Sequence, residues 1–419
     1  MKVALLTFGC RVNHAESLAL ERELRARGAD VVPAHEADVV FVNSCTVTAT
    51  ADQGTRQSVR RIARENPSAR IVVTGCYATR SPEDVRALPG VAAVIPNARK
   101  DRLLEELPPF AIQHSNIPSS IQHPASSIPL VGAGRTAFTL RVQTGCDEPC
   151  AYCIIPSTRG EPRSTPPGDV VRELQRVEAA GFKEVTLTGV HLGAYGRDLP
   201  TPVPLHALLT RAIEGTRGLV LRLGSLEPMD CTPELLDLAA ATDRLAPAFH
   251  RPLQHASDRI LAAMRRPYTL AQYEASVTAL RARLSHAAIG SDIIVGFPGE
   301  TDDDWRVLHD WLSASPLTSL HVFPYSDRPG TEASSLRGAV HGAVIRSRAA
   351  GIRAVGQRLH ERFRAAQTDR VHRALTIEDG STAVTGIGLK VAISPRQTRN
   401  QWVRVRLGPL DATVESCCA

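Results

Sequence analysis

No stretch of this sequence is both long and apolar enough to cross a bilayer; its apolar runs, such as residues 39–42, are strand-sized. The N-terminus, Met1-Lys2-Val3-Ala4-Leu5-Leu6, lacks a cleavage site and opens directly on a strand-like run, so it reads as the start of a fold rather than a signal peptide. A cytoplasmic protein is therefore expected. Low-complexity bias is missing as well: 43% of residues are apolar and 22% charged, as in folded globular chains. Strong net charge is also missing, at +6 over 419 residues, a length that predicts two or three domains.

What charge there is sits unevenly. Across residues 337–373 arginines recur with only Glu361 and Asp369 as acidic counterweights, which suits a polyphosphate partner; a solvated helix face is the alternative. Residues 3–8, 39–43 and 71–74 are β-rich runs separated by helical patterns over 16–27 and 53–65. That alternation predicts an open parallel α/β sheet domain over residues 1–107. Residues 108–135, rich in Ser, Pro, Ile and Gln, have neither period and read as a linker. Alternation resumes over 136–366, with strands expected at 138–144, 184–188, 220–223, 249–253, 289–295 and 319–323. Helices are expected at 167–180, 232–241 (Thr232 as N-cap), 270–284 and 301–313, which makes a partial (βα)6 barrel followed by a long basic helix over 340–366. Residues 367–419 change character, and short alternating runs at 375–377, 390–393 and 402–407 suggest a small β-barrel.

Nine cysteines in such a chain point to metal binding or reactivity before disulfides. Cys146-Asp-Glu-Pro-Cys150-Ala-Tyr-Cys153 places three thiols within eight residues, directly after the first barrel strand. Thiolates so spaced can ligate one cluster or ion. A closed zinc site wants a fourth ligand close by, and the next histidine along the chain is His191. Three thiolates on a 4Fe-4S cluster leave one iron open. In barrels of this kind chemistry sits at the C-terminal strand ends, where this loop falls. Cys10, Cys45 and Cys76 each follow a predicted parallel strand by one or two residues, at ends that share one sheet edge. They would converge there, with Gly9 and Gly75 permitting close backbone approach. Three unrelated buried cysteines are the alternative, and redox catalysis is disfavoured because this part has no Cys-x-x-Cys. A second cluster with an open iron is the preferred reading.

Cys-x3-Cys-x2-Cys with Tyr152 before its last cysteine resembles the signature of the radical S-adenosylmethionine (SAM) superfamily. That resemblance implies that Cys146, Cys150 and Cys153 hold a cluster whose open iron chelates SAM and, once reduced, cleaves it to a 5′-deoxyadenosyl radical. Both cysteine sets together resemble the methylthiotransferases over nearly the whole chain. Matching stretches include Thr7-Phe8-Gly9-Cys10-Arg11-Val12-Asn13, Asn43-Ser44-Cys45-Thr46-Val47-Thr48 and Thr74-Gly75-Cys76-Tyr77-Ala78. Others are His250-Arg251-Pro252-Leu253-Gln254-His255, Met264-Arg265-Arg266-Pro267-Tyr268-Thr269 and Phe323-Pro324-Tyr325-Ser326. By this resemblance the Cys10/Cys45/Cys76 cluster carries the transferred sulfur. One SAM methylates that sulfur, a second supplies the radical that takes hydrogen from adenine C2, and a flavodoxin or ferredoxin donates electrons.

SAM contacts are expected from Thr188 and Gly189 after the second barrel strand, Ser225 and Glu227 after the third, and Gly296 after the fifth. A structural role is the alternative for each. Cys231 reads as an ordinary buried thiol, Cys417 and Cys418 as a terminal pair, and His250 and His255 as supports of the barrel mouth. Arg399-Asn400-Gln401-Trp402-Val403-Arg404-Val405-Arg406 resembles part of a TRAM domain, a small RNA-binding barrel, although the upstream strands depart from that pattern. Arg404 and Arg406 would meet phosphates, and Trp402 would stack or pack. Cys10-Arg11-Val12-Asn13 and Cys45-Thr46-Val47-Thr48-Ala49 look like the branch acting on N6-threonylcarbamoyladenosine beside the tRNA anticodon. The isopentenyladenosine branch usually has Gln-Met after its first cysteine, and a third branch modifies a ribosomal-protein aspartate. A non-catalytic iron–sulfur scaffold that binds RNA is the competing class.

Overall fold

Residues 39–44 and 70–75 carry apolar side chains on both faces, and such runs are stable only between two layers of helix. In the computed structural model, which describes residues 1–107 and 136–417, they lie in a five-stranded parallel sheet. Its strands are β1 (Lys2–Thr7), β2 (Asp30–Val31), β3 (Val39–Ser44), β4 (Arg70–Gly75) and β5 (Val91–Ile95), in the order β2-β1-β3-β4-β5. Val40, Val42, Ile71 and Val73 pack on Val59 and Ile62 of the helix Ala49–Glu65. Val39, Phe41 and Val72 turn to the other face, against Leu20 and Leu24 of the helix Arg11–Ala26. β2 and β5 escape the sequence pattern because one is two residues long and the other is a half-exposed, alanine-rich edge.

The linker expected at 108–135 lies outside the described residues, as does Cys418. Beyond it, β6 (Ala137–Arg141) starts the second layer, and β7 (Gln143–Thr144) pairs antiparallel with β8 (Arg163–Ser164). β6 joins β9 (Glu184–Thr188) and β10 (Val220–Leu223) in one parallel sheet; β11 (Ala248–His250), β12 (Ala288–Val295) and β13 (Ser319–Pro324) form another. Parallel bridges Leu221–Leu245 and Ser225–His250 fuse the two into one curved wall, a partial barrel. Val185, Leu187, Leu221, Leu223, Ile289 and Ile293 face the surrounding helices. Alternation therefore aims Glu184, Arg222, Asp292 and Ile294 at the inner face. The strand expected at 249–253 stops at His250, because Pro252 offers no N–H for a ladder. Thr232 caps its helix as expected, accepting the Leu235 N–H, and a further helix, Leu205–Gly215, precedes β10.

β14 (Val371–Ile377), β15 (Thr382–Thr385), β16 (Lys390–Ser394), β17 (Trp402–Leu407) and β18 (Asp411–Cys417) close into a small barrel. It docks at the N-terminal end of the wall, where Trp402 and Leu375 pack with Val220 and Ala246, and Arg222 donates to the Thr385 and Gly386 carbonyls. Trp402 is 7% exposed and lies 4.3 Å from the Arg373 guanidinium. Stacking of Trp402 on RNA is thereby corrected: it is a docking residue. The basic helix, Gly342–Ala365, uses some of its arginines as struts, with Arg348 paired to Glu300 and Asp302 and Arg362 donating to the Ser315 carbonyl. Arg346, Arg353 and Arg358 stay exposed. Among the described residues no helix is long and apolar enough to cross a membrane.

Candidate metal centres

Cys10, Cys45 and Cys76 leave the C-terminal ends of β1, β3 and β4, three adjacent strands. Gly9 has φ +92°, and a Cβ there would sit 2.5 Å from the Cys45 Sγ; Gly75 has φ +97°, and a Cβ would sit 2.3 Å from the Ser44 carbonyl oxygen. Only glycine fits both places. Behind the thiols the Asn13 amide donates to the carbonyls of Phe8 (2.7 Å) and Ser44 (3.0 Å), and the Asn43 amide donates to the Asn13 carbonyl (2.8 Å). Glu16 accepts from Lys100 (2.5 Å), Arg141 (3.0 Å) and Arg159 (2.8 Å). Burial alone would raise the Glu16 pKa, but Lys100, Arg159 and Arg141 outweigh it and hold the carboxyl well below its usual range.

Cys146, Cys150 and Cys153 lie on one loop after β7, with the Cys146 N–H on the Gly160 carbonyl and the Cys153 N–H on the Cys150 carbonyl, both at 3.0 Å. Arg266 donates to the Cys150 Sγ at 3.0 Å and to the Tyr152 hydroxyl at 3.4 Å, while ion-pairing with Glu227. His191, remote along the chain, is brought beside Cys146. Burial would depress its pKa, but the hydrogen bond to Asp230 (2.8 Å) and the neighbouring Cys146 raise it to about 10. Distance in sequence was therefore a poor guide to this histidine.

Thiol spacing separates a single ion from a cluster. Zinc at 2.3 Å from each thiolate would draw the sulfurs to about 3.8 Å apart. Among the described residues, the one set of three His, Cys, Asp or Glu donors all within 4.8 Å of one another is His250, Asp292 and His321. Neither cysteine trio is that tight, so neither is drawn up around a single zinc ion. Burial pushes the Cys45 thiol up to about 11 and the Cys153 thiol up to about 12, so neither is a ready thiolate nucleophile until a metal displaces its proton.

The loops that carry the two trios are tied together. The Asn97 amide reaches the Cys76 Sγ at 3.5 Å and the Thr158 carbonyl at 2.9 Å. Arg159, just past the Cys153 loop, donates to the Asn13 side chain at 2.5 Å as well as to Glu16. On the opposite flank Arg328 donates to Thr46 (2.7 Å) and Asp52 (2.5 Å). Beside the Cys45 and Cys153 loops lies a cavity of about 210 Å³ whose lining includes Val47 and Thr48, Tyr152 and Cys153, and Ile294 and Phe323 of the wall. Val47 and Phe323 are 47% and 43% exposed, an unusual openness for such side chains.

Thr188, Gly189, Ser225 and Glu227 stand at the C-terminal ends of β9 and β10, as expected. Gly296 follows β12, where a Cβ would come within 2.5 Å of Ile345 of the basic helix, and Ile294 lines the cavity. His250 bonds to Asp292 at 2.8 Å, while His255 is fully buried and its Nδ1 accepts the Ser257 N–H. Cys231 packs partly buried against the barrel core. Arg404 and Arg406 are exposed on β17, but Arg406 already pairs with Glu415. Arg266, Arg159, Glu16, Asn97 and His191 are site residues that spacing does not reveal, although Arg266 and Asn13 lie in stretches that carry the family resemblance.

A fold of one parallel sheet followed by a partial barrel, with three thiols at the first barrel strand, defines a radical SAM protein. The model of the radical SAM superfamily matches residues 140–312, and that of "Uncharacterized protein family UPF0004" matches residues 2–96. The threonylcarbamoyladenosine tRNA methylthiotransferase of Bacillus subtilis is 34% identical over 86% of this chain and 81% of its own. A tRNA-2-methylthio-N(6)-dimethylallyladenosine synthase of Mycobacterium leprae is 34% identical over 82% of this chain and 69% of its own. The radical SAM methyltransferase TsrM from Kitasatospora setae shares the fold, with a TM-score of 0.55 at 16% identity over 80% of this chain and 77% of that one. The chain belongs to the radical SAM methylthiotransferase family, whose chemistry uses SAM and a 4Fe-4S cluster.

Proposed function

We propose that this chain is a cytoplasmic tRNA methylthiotransferase that converts N6-threonylcarbamoyladenosine beside the anticodon to its 2-methylthio derivative. The observation that carries the reading is the tie between the loops of the two thiol trios, through Asn97 to the Cys76 Sγ and the Thr158 carbonyl and through Arg159 to Asn13. Two clusters with free vertices suit a reaction that needs both a radical and a sulfur. Cys146, Cys150 and Cys153 would hold the SAM-binding cluster, and Cys10, Cys45 and Cys76 a second 4Fe-4S cluster that presents the sulfur. When bound, these groups and SAM supply the radical and the methylthio group.

The chain's own residues position that chemistry. Arg266 donates to the Cys150 Sγ, and its charge offsets part of the burial that raises that thiol's pKa, while His191, held by Asp230, stands beside Cys146. Asn97 and Arg159 hold one trio against the other. Thr188, Gly189, Ser225 and Glu227 are the strand-end groups for SAM, and Tyr152 and Ile294 exclude water. Residues 1–107 and 136–366 would be the two cluster-bearing domains, and 367–419 a TRAM-like module that meets tRNA through Arg404 more than the paired Arg406. A flavodoxin or ferredoxin would supply electrons. The test is nucleoside mass spectrometry of tRNA from a deletion strain. Loss of 2-methylthio-threonylcarbamoyladenosine is expected; loss of the isopentenyl derivative instead, or of neither, overturns the reading.

A further inference from the structure

Carboxylates on the inner face of the barrel wall are matched in two different ways. Glu184 on β9 pairs with Arg222 on β10 at 2.9 Å, an ordinary carboxylate–guanidinium pair. Asp292 on β12 has no lysine or arginine partner among the described residues. Two imidazoles meet it instead, one from each neighbouring strand. The His250 Nε2 on β11 lies 2.8 Å from its Oδ1, and the His321 Nδ1 on β13 lies 3.3 Å from the same oxygen. Strand register puts them there. Asp292 stands opposite His321, and His250 stands opposite Gly290, which precedes Asp292 on the same face of β12. A Cβ at Gly290 would come within 3.0 Å of the His250 Nδ1, so glycine keeps the place of that ring free.

We propose that His250, Asp292 and His321 bind one divalent first-row transition-metal ion, at a site that uses none of the six cluster cysteines. Nitrogen and oxygen donors held about 2.0–2.1 Å from a tetrahedral ion stand about 3.3 Å apart. The His321–Asp292 spacing already has that value, and the 2.8 Å spacing of His250 and Asp292 reaches it by opening about 0.5 Å. All three donors lie within 4.8 Å of one another, the only such set among the described residues. Two imidazoles and one carboxylate suit zinc or ferrous iron, whereas magnesium and calcium want oxygen throughout. Three protein ligands also leave a position open to water or to an incoming oxygen. An entry path exists, since the His321 side chain is 63% exposed and Asp292 lines the cavity beside the Cys153 loop. Without an ion, two N–H groups converge on one carboxylate oxygen; a bound ion takes the place of both protons.

Zinc alone is the probe, because it displaces ferrous iron from a site with these donors. Anaerobically reconstituted protein is dialysed against micromolar zinc, desalted and analysed for metal. About one zinc per chain is expected on top of an unchanged iron content, and X-ray absorption at the zinc edge should show nitrogen and oxygen donors at about 2.0–2.1 Å without sulfur at about 2.3 Å. His321→Ala, which removes a largely exposed side chain, should weaken zinc binding by more than about a hundredfold, beyond the loss on removing a group that merely orients a ligand. Asp292→Asn should do the same, again with iron unchanged. A wild type that takes up no zinc overturns the proposal. So does zinc that either variant retains at full affinity, zinc bound through sulfur alone, or zinc that enters only as iron leaves.

Discussion

Three thiols arrive from a single eight-residue loop of the barrel, and three from separate strand ends of the first sheet. The loop trio owes its geometry to local backbone hydrogen bonds, and its long-range help is chemical, from Arg266 and His191 at the sulfurs. The sheet trio is the reverse. Its geometry depends on the register of β1, β3 and β4, on two left-handed glycines, and on the buried Glu16–Asn13–Arg159 network behind it. A site assembled across distant chain is hostage to its supports in a way that a one-loop site is not. Arg159 ties the two together, so the robust trio also braces the fragile one.

The largest test of that contrast is ligand removal. Cys150→Ala should abolish formation of 5′-deoxyadenosine and lower iron by about four atoms per chain, one cluster. Cys45→Ala should lose the same iron but keep SAM cleavage. Either variant losing both clusters would show that the trios do not stand separately. Next is Glu16→Gln, which leaves Lys100, Arg141 and Arg159 without their shared carboxylate. Removing one partner from a buried charge network costs about 3–5 kcal/mol, to be read from denaturant midpoints, and the sheet trio should lose iron first. Because folding depresses the Glu16 pKa, its contribution is complete above the unfolded value of about 4.3 and fades as pH falls toward the folded one. Wild-type stability should therefore decline on that acid limb, and the variant should lack this component. Arg266→Ala probes the loop trio's distant help: SAM cleavage should fall by about ten- to a hundredfold with the other trio's iron unchanged. The smallest effect is expected far from both. Arg404→Ala should alter neither cluster and reduce the slope of log affinity for tRNA against log salt by about one.

What could be read from sequence follows the same division. The loop trio was legible because its ligands share one turn of chain. The sheet trio was legible because each cysteine ends a run buried on both sides, and parallel strands put such ends on one edge. Arg266, His191 and Asn97 were not, since they reach sulfur only through the folded backbone and have no periodic signal of their own. Trp402 misled for a different reason. Alternation puts it on the same face as Arg404 and Arg406, but the first end of β17 is pressed against Val220 and Ala246, so one face is buried at one end and wet at the other. Edge strands β2 and β5 were lost because their residues answer to neighbours rather than to a two-sided core.

The most direct measurement is Mössbauer spectroscopy with metal analysis of the anaerobically reconstituted protein. Two 4Fe-4S clusters and about eight irons per chain are predicted. Bound zinc in place of iron, or a single cluster with one trio of thiols still titratable, would contradict the account.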